Sequence, residues 1–353
     1  MKLMLEIKLL LYKFFSAYLG RKILDFLPFG VNADNLGNGK NHKNKPFLVA
    51  ITIDAESGYV LNNEKRVWQR EKPDAFEGYY YGLRNLLSVF GKHNAKGTFF
   101  LSTQCFSAQG KERALISRQL KALIKNKHEL GLHLHADSDF ALQKKLGRKL
   151  DATSAVFYNY GEKFEIIKAA KELIKENLGR NIEKKLISFR WGNWALDSDG
   201  AKAVDNLGFR IDSSAVPGIK GHSNDTMKYD WGHVKSHYPW KLSITDYKAI
   251  NHDNSKVTEM PIATFDFFGA TLRADPVNSA LLSKAFVEYY KKADRSEKPF
   301  VFVVMTHSSE ATMKDGKATQ ALKDLENFIT FSKKYEDVRL VTMKEAYEKI
   351  CIS

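Results

Sequence analysis

Lys127-His-Glu-Leu-Gly-Leu-His-Leu-His-Ala-Asp-Ser-Asp139 holds three histidines and two aspartates around a short apolar run. Glu129 to His133 reads as a strand, and from its end His133, His135 and Asp137 alternate with Leu134 and Ala136. Residues two apart share one face of an extended chain, so the three polar side chains point the same way as the strand runs out. Neutral imidazole and carboxylate are ligands for a borderline divalent ion, and an incomplete protein shell keeps a position open for water. Taken alone, the stretch reads slightly better as a polar strand end with surface histidines. The other strand ends reverse that balance.

Working outward, short β-branched or aromatic runs alternate with longer helical stretches from Phe47 onward. The runs are Phe47 to Ile53, Gly97 to Leu101, Glu129 to His133, Leu186 to Arg190, Gly208 to Asp212, Val257 to Ile262 and Phe300 to Thr306, with Val338 to Val341 as an eighth. Helical patterns cover Glu77 to His93, Lys111 to Lys125, Gly161 to Asn177, Ser198 to Asn206, Asn278 to Ala293 and Lys317 to Tyr335. Strand alternating with helix specifies a parallel sheet. Seven or eight repeats favour a closed or nearly closed (β/α) barrel over an open doubly wound sheet, and no Gly-x-Gly-x-x-Gly turn supports dinucleotide binding. Residues 215–256 break the rhythm with Pro217, Gly218, Trp231, Tyr238, Pro239 and Trp240. That segment reads as a functional loop insertion, either a sugar-stacking wall or simple packing on the barrel.

The residues closing the strands repeat one chemistry. The first strand ends in Asp54-Ala55-Glu56, the third in His133 to Asp137, the fourth in Arg190-Trp191, the fifth in Asp212-Ser213-Ser214 and the seventh in His307-Ser308-Ser309-Glu310. In a parallel barrel the carboxyl ends form one face, where barrel enzymes keep their chemistry. Each residue has an ordinary role available, as a cap, a surface cation or a buried hydrogen-bonded histidine. Five such ends together point to one pocket.

Composition sets the outer limits. The 353 residues, 44% of them hydrophobic, suffice for one large α/β domain or two ordinary ones. Cys105 and Cys351 are the only cysteines, so neither a disulfide framework nor a thiolate zinc site is indicated, and a reducing compartment fits. A net charge of +14 favours anionic partners, but it is spread over pairs such as Lys144-Lys145 and Lys291-Lys292, and no nucleic-acid module stands out. Residues Met1 to Phe29 are apolar but broken by Lys8, Lys13, Arg21, Lys22 and Asp25, short of the ~20 apolar residues of a membrane span. They read as an amphipathic helix that docks on the domain or lies in a membrane interface, followed by a polar linker to Lys45. No secretory signal is evident, and a cytoplasmic site, peripheral to the inner membrane, is expected.

In order, Thr-Ile-Asp54-Ala-Glu56, Lys-Gly-Thr-Phe-Phe, His-Glu-Leu-Gly-Leu-His133, Phe-Arg190-Trp-Gly-Asn-Trp194, Asp212-Ser-Ser and Thr-His307-Ser resemble the polysaccharide deacetylase family (carbohydrate esterase family 4, NodB-homology). The resemblance runs from about Pro46 to the C-terminus. It implies a distorted (β/α) barrel with seven or eight strands and removal of acyl groups from sugars with one divalent ion, Zn, Mn, Fe or Co. Carried over by motif, it makes Asp54 the general base, Glu56 and His133 metal ligands, Arg190 the partner of the base and His307 the general acid. The usual paired aspartates are here Asp-Ala-Glu. The third ligand is expected four residues after His133, at Asp137, with His135 as its competitor. Asp212 is expected to support His307 if it reaches that imidazole. The implied substrate is a polysaccharide, and the absence of a clear signal peptide, the diffuse positive charge and the amphipathic arm favour its lipid- or nucleotide-linked precursor. A glycoside hydrolase using Asp54 and Glu56, and a carbohydrate-binding relative without catalysis, are the rival readings.

Overall fold

The computed structural model describes residues 45–351 apart from 58, 63–64, 69–74, 224–225, 251–253, 268, 279 and 294–299. The amphipathic arm and most of its linker, residues 1–44, therefore lie outside the described residues. Eight strands stand where the sequence places them: β1 (Phe47–Ala55), β2 (Thr98–Ser102), β3 (Glu129–Leu134), β4 (Ser188–Trp191), β5 (Ile211–Asp212), β6 (Thr258–Glu259), β7 (Val301–His307) and β8 (Val338–Val341). Neighbours run β6-β5-β4-β3-β2-β1-β7, all parallel, and β8 also pairs with β1. Trp240–Lys241 adds an antiparallel strand at the free edge of β6. An isolated parallel bridge from Ile262 to Val303, beside an Ala263 N–H to Val303 C=O bond of 3.0 Å, ties the segment after β6 back to β7. The sheet is thus curled into a distorted barrel.

The strands read as nearly continuous apolar runs because both faces are covered, and all nine residues of β1 are buried. Helices pack outside: α1 (Leu83–Lys92), α2 (Gly110–Lys125), α3 (Phe140–Leu146), α4 (Tyr160–Leu178), α5 (Ser198–Asn206), α6 (Ala280–Lys292), α7 (Gln320–Ser332) and α8 (Met343–Cys351). Their ends follow local chemistry. Asn159 and Glu162 form a reciprocal capping box at the start of α4, and Asp197 caps α5 by accepting from Gly200 N–H. Among the described residues no helix is long and apolar enough to cross a membrane.

The insertion at 215–256 contains a hairpin, Lys220–Ser223 with Thr226–Asp230. Its tryptophans pack inward: Trp231 is fully buried and donates from Nε1 to the Trp194 carbonyl, and Trp240 is buried as well. For these two rings packing, not sugar stacking, is the role observed.

Candidate active site

Thr52, Asp54 and Glu56 alternate along β1 and therefore share its inner face. The register sets Asp54 beside His307 on β7, and Arg190 on β4 beside His133 on β3. Groups far apart in sequence meet here because parallel strands in register bring their carboxyl ends to one level.

Arg190 is fully buried, and four of its five N–H groups donate to named acceptors. Its Nη1 donates to Asp54 Oδ1 at 2.6 Å, Nη2 donates to Thr52 Oγ1 at 3.0 Å and Ser213 Oγ at 2.9 Å, and Nε donates to the Ser213 carbonyl at 2.8 Å. The guanidinium also lies 4.2 Å over the Phe100 ring. A buried cation needs this degree of pairing, and the planar fork fixes the Asp54 carboxylate in direction as well as charge.

Glu56, His133 and His135, all buried, present ligand atoms within 4.8 Å of one another. The Nε2 atoms of His133 and His135 lie 3.2 and 3.0 Å from the same oxygen, Glu56 Oε2. His133 Nδ1 is 3.1 Å from the Arg190 carbonyl, an acceptor only, so Nδ1 carries a proton. The neutral tautomer then turns its Nε2 lone pair toward a carboxylate, an arrangement that requires a cation between them, a proton or a metal ion. Two imidazoles and one carboxylate converging on one point, with one imidazole oriented by a backbone carbonyl, fit a divalent ion. Burial alone would raise the Glu56 carboxyl, but His135 and His133 override it and hold it well below the usual carboxylate range.

Asp137 is not in this group. The strand ends at Leu134, and the Ser138 N–H to His135 carbonyl bond of 3.2 Å turns the chain there. His135, two residues after His133, keeps the inner face, while Asp137 sits half-buried in the turn, its carbonyl accepting from Gln143. The group that could hold a metal ion thus contains His135 in place of the favoured Asp137. Gly192 explains how the ring fits: a Cβ there would meet His135 ring atoms at 2.5 Å.

His307 is held differently from the expectation. Asp212 accepts from the Ser214 N–H at 2.9 Å and the Ser214 hydroxyl at 3.2 Å, and it pairs in register with Glu259 of β6, so its carboxylate is spent away from His307. Burial, then the charge of Asp212, pushes the Glu259 carboxyl well above its usual range. The partner of His307 is Glu310, whose Oε2 lies 3.2 Å from His307 Nδ1 and accepts from the His307 N–H at 3.0 Å. His307 Nε2 is 3.8 Å from Glu56 Oε1. Burial works against the imidazolium, but Glu310, reinforced by Glu56 and Asp54, raises His307 to about 9. Glu310 stands three residues beyond His307, a spacing that a turn at the strand end brings round. Asp275, also buried and close enough to feel Glu310 and His307, had no sequence signal.

Trp194 borders this region with an unusual backbone. Asn193 and Trp194 both have positive φ, 53° and 54°, and the Trp194 ring carries the Arg273 guanidinium 4.3 Å away. Left-handed backbone at a bulky residue is costly and concentrates at functional sites.

No family model and no curated protein sequence matches the chain. Solved structures do. A Parabacteroides distasonis protein assigned as a glycoside hydrolase/deacetylase aligns with a TM-score of 0.58 at 12% identity, over 86% of this chain and 70% of that one. A Mycobacterium smegmatis protein assigned as a polysaccharide deacetylase aligns at 0.55 and 16%, over 87% and 91%. Puue allantoinase aligns at 0.54 and 12%, over 86% and 90%. With the curled parallel sheet and the resemblance in its strand-end motifs, this chain has the fold of the polysaccharide deacetylases.

Proposed function

We propose that the protein is a metal-dependent hydrolase that removes an N-acyl group, acetyl or formyl, from a sugar in a surface polysaccharide or its lipid- or nucleotide-linked precursor. The observation that carries the reading is the convergence of Glu56, His133 and His135 beside an Arg190-held Asp54 and a Glu310-backed His307. The names of the structural neighbours span deacetylase and allantoinase, so the reaction is argued from the site and not from the fold.

Glu56, His133 and His135 would hold the ion, which as a Lewis acid supplies an activated water and charge stabilisation at the acyl oxygen. Asp54, aimed by Arg190, accepts the proton of the attacking water. His307, kept protonated by Glu310, returns a proton to the leaving amine. Because Glu56 faces two imidazoles and Asp54 is engaged by Arg190, the two carboxylates are not placed as the acid and base of a glycosidase. The basic amphipathic arm and the net charge of +14 support an anionic, lipid- or nucleotide-linked substrate met in the cytoplasm at the membrane surface.

The test is to incubate the protein with Mn or Zn and a panel of N-acetyl and N-formyl sugars, free and lipid-linked, and to measure released acid. Acetate or formate should appear, cease on chelation and fall about 100 to 10,000-fold in Asp54→Asn and His307→Ala. New reducing ends without released acid, or near-unchanged rates in either variant, would contradict the proposal.

A further inference from the structure

At the opposite end of the barrel, the loops that enter β2, β3 and β4 and the start of α8 line a cavity of about 430 Å³. Lys96, Lys127, Lys185 and Lys344 line it together with His128. Chemistry in such barrels belongs to the carboxyl face, so a cavity at the amino face is separate from the metal centre.

Its carboxylates are largely committed. Glu129 accepts from Ser188 Oγ at 2.5 Å, Thr98 Oγ1 at 2.8 Å and the Lys344 N–H at 2.8 Å, so it points into the fold and caps α8. Glu345 and Glu348 reach Lys96 and Lys344 only at 3.6 and 3.9 Å. Lys127 and Lys185 have no carboxylate within 4.0 Å among the described residues, and Lys127 is held at the rim with φ at 59°. His128 adds a fixed donor. Its Nδ1 accepts from the Gly97 N–H at 3.2 Å, which leaves the proton on Nε2, and its ring is clamped edge-on by Phe90 and Phe99 at 5.3 Å each. Burial, and Lys96 beside it, lower His128 to about 4, so it stays a neutral N–H donor. Ile124 and Ile182 supply an apolar wall.

We propose that this cavity binds a small phosphate-bearing molecule, its phosphate held by the lysine ammoniums and the His128 Nε2–H and its organic part lying against Ile124 and Ile182. Lysines offer point charges suited to phosphate, and a cavity of this size takes a nucleotide or a sugar phosphate. The site is independent of the proposed deacylation.

Titration calorimetry on the full chain, stripped of divalent ions, tests it with three probes: inorganic pyrophosphate, a nucleoside diphosphate and a hexose 1-phosphate. Saturable binding of pyrophosphate is expected, weakened about tenfold in Lys127→Gln/Lys185→Gln and unchanged in the equally charge-reduced control Lys314→Gln/Lys323→Gln. Tighter binding of either organic probe than of pyrophosphate is expected and identifies the source of the phosphate; equal binding of all three overturns the placement of an organic part against Ile124 and Ile182. Absence of saturable binding at millimolar probe, or equal weakening in both double variants, overturns the proposal.

Discussion

At the scale of single residues, His135 and Asp137 are expected to differ in their effect on metal binding. His135→Ala removes one of the three groups proposed to hold the ion and should lower metal affinity by more than the roughly 10 to 100-fold typical of losing an outer-shell partner. Asp137→Ala should leave bound metal near wild type, as read by metal analysis after dialysis; the reverse result would restore Asp137 as the ligand. Glu310→Gln tests the acid. His307 is raised from 6.5 to about 9, so its contribution to stability is full below the lower value and is lost as pH climbs through the higher one. Metal-free protein should therefore lose melting temperature across that window, and Glu310→Gln should flatten the slope. The alkaline limb of the rate profile should move to lower pH in the same variant, since His307 must be protonated to donate. An unmoved limb would mean that another group supports the imidazolium. The sequence made His133, Glu56, Asp54, Arg190 and His307 legible because each closes a strand. It hid the partner of His307, because whether Asp212 or Glu310 reaches that ring depends on register across strands and on a turn after β7, neither of which a linear pattern records.

At the scale of elements, the rim is shaped by the close approach of two short helical segments. Gly78–Gly82 forms a π-helical turn against Ser308–Ala311, the turn that follows His307. Such turns are frequent at functional sites. A Cβ on Gly82 would lie 2.0 Å from the Ser308 carbonyl oxygen, and that atom is backbone, so something must shift. Gly82→Ala should cost about 1 to 3 kcal/mol by overpacking and reduce turnover by displacing His307. Gly91, in α1 with nothing within 4 Å of an added Cβ, is the contrast. There Ala should be neutral or stabilising by up to about 1 kcal/mol. Chemical denaturation of the two variants checks both signs, and equal effects would discount the steric argument. The helical periodicity over residues 77–93 foretold a helix but not its π-helical start. That widening comes from packing against Ser308, a long-range contact.

At the scale of the whole molecule, eight strands and six helices were legible as alternating periodicities, since a sheet buried on both faces writes each strand as an apolar run. The seven-residue helix α3 and the four- and five-residue strands of the hairpin in the insertion escaped because few residues carry each pattern, and α8 was missed as well. The same fold serves a neighbour called an allantoinase, so the architecture delivers a rim of converging side chains and leaves the substrate to the site. The central claim is one cation shared by Glu56, His133 and His135. Its most direct test is an anomalous difference map from crystals of the full chain soaked in Mn or Zn. One strong peak is expected within bonding distance of Glu56 Oε2 and the two imidazole Nε2 atoms; a map without that peak, or with the ion on Asp137 in place of His135, would contradict the shared-cation site.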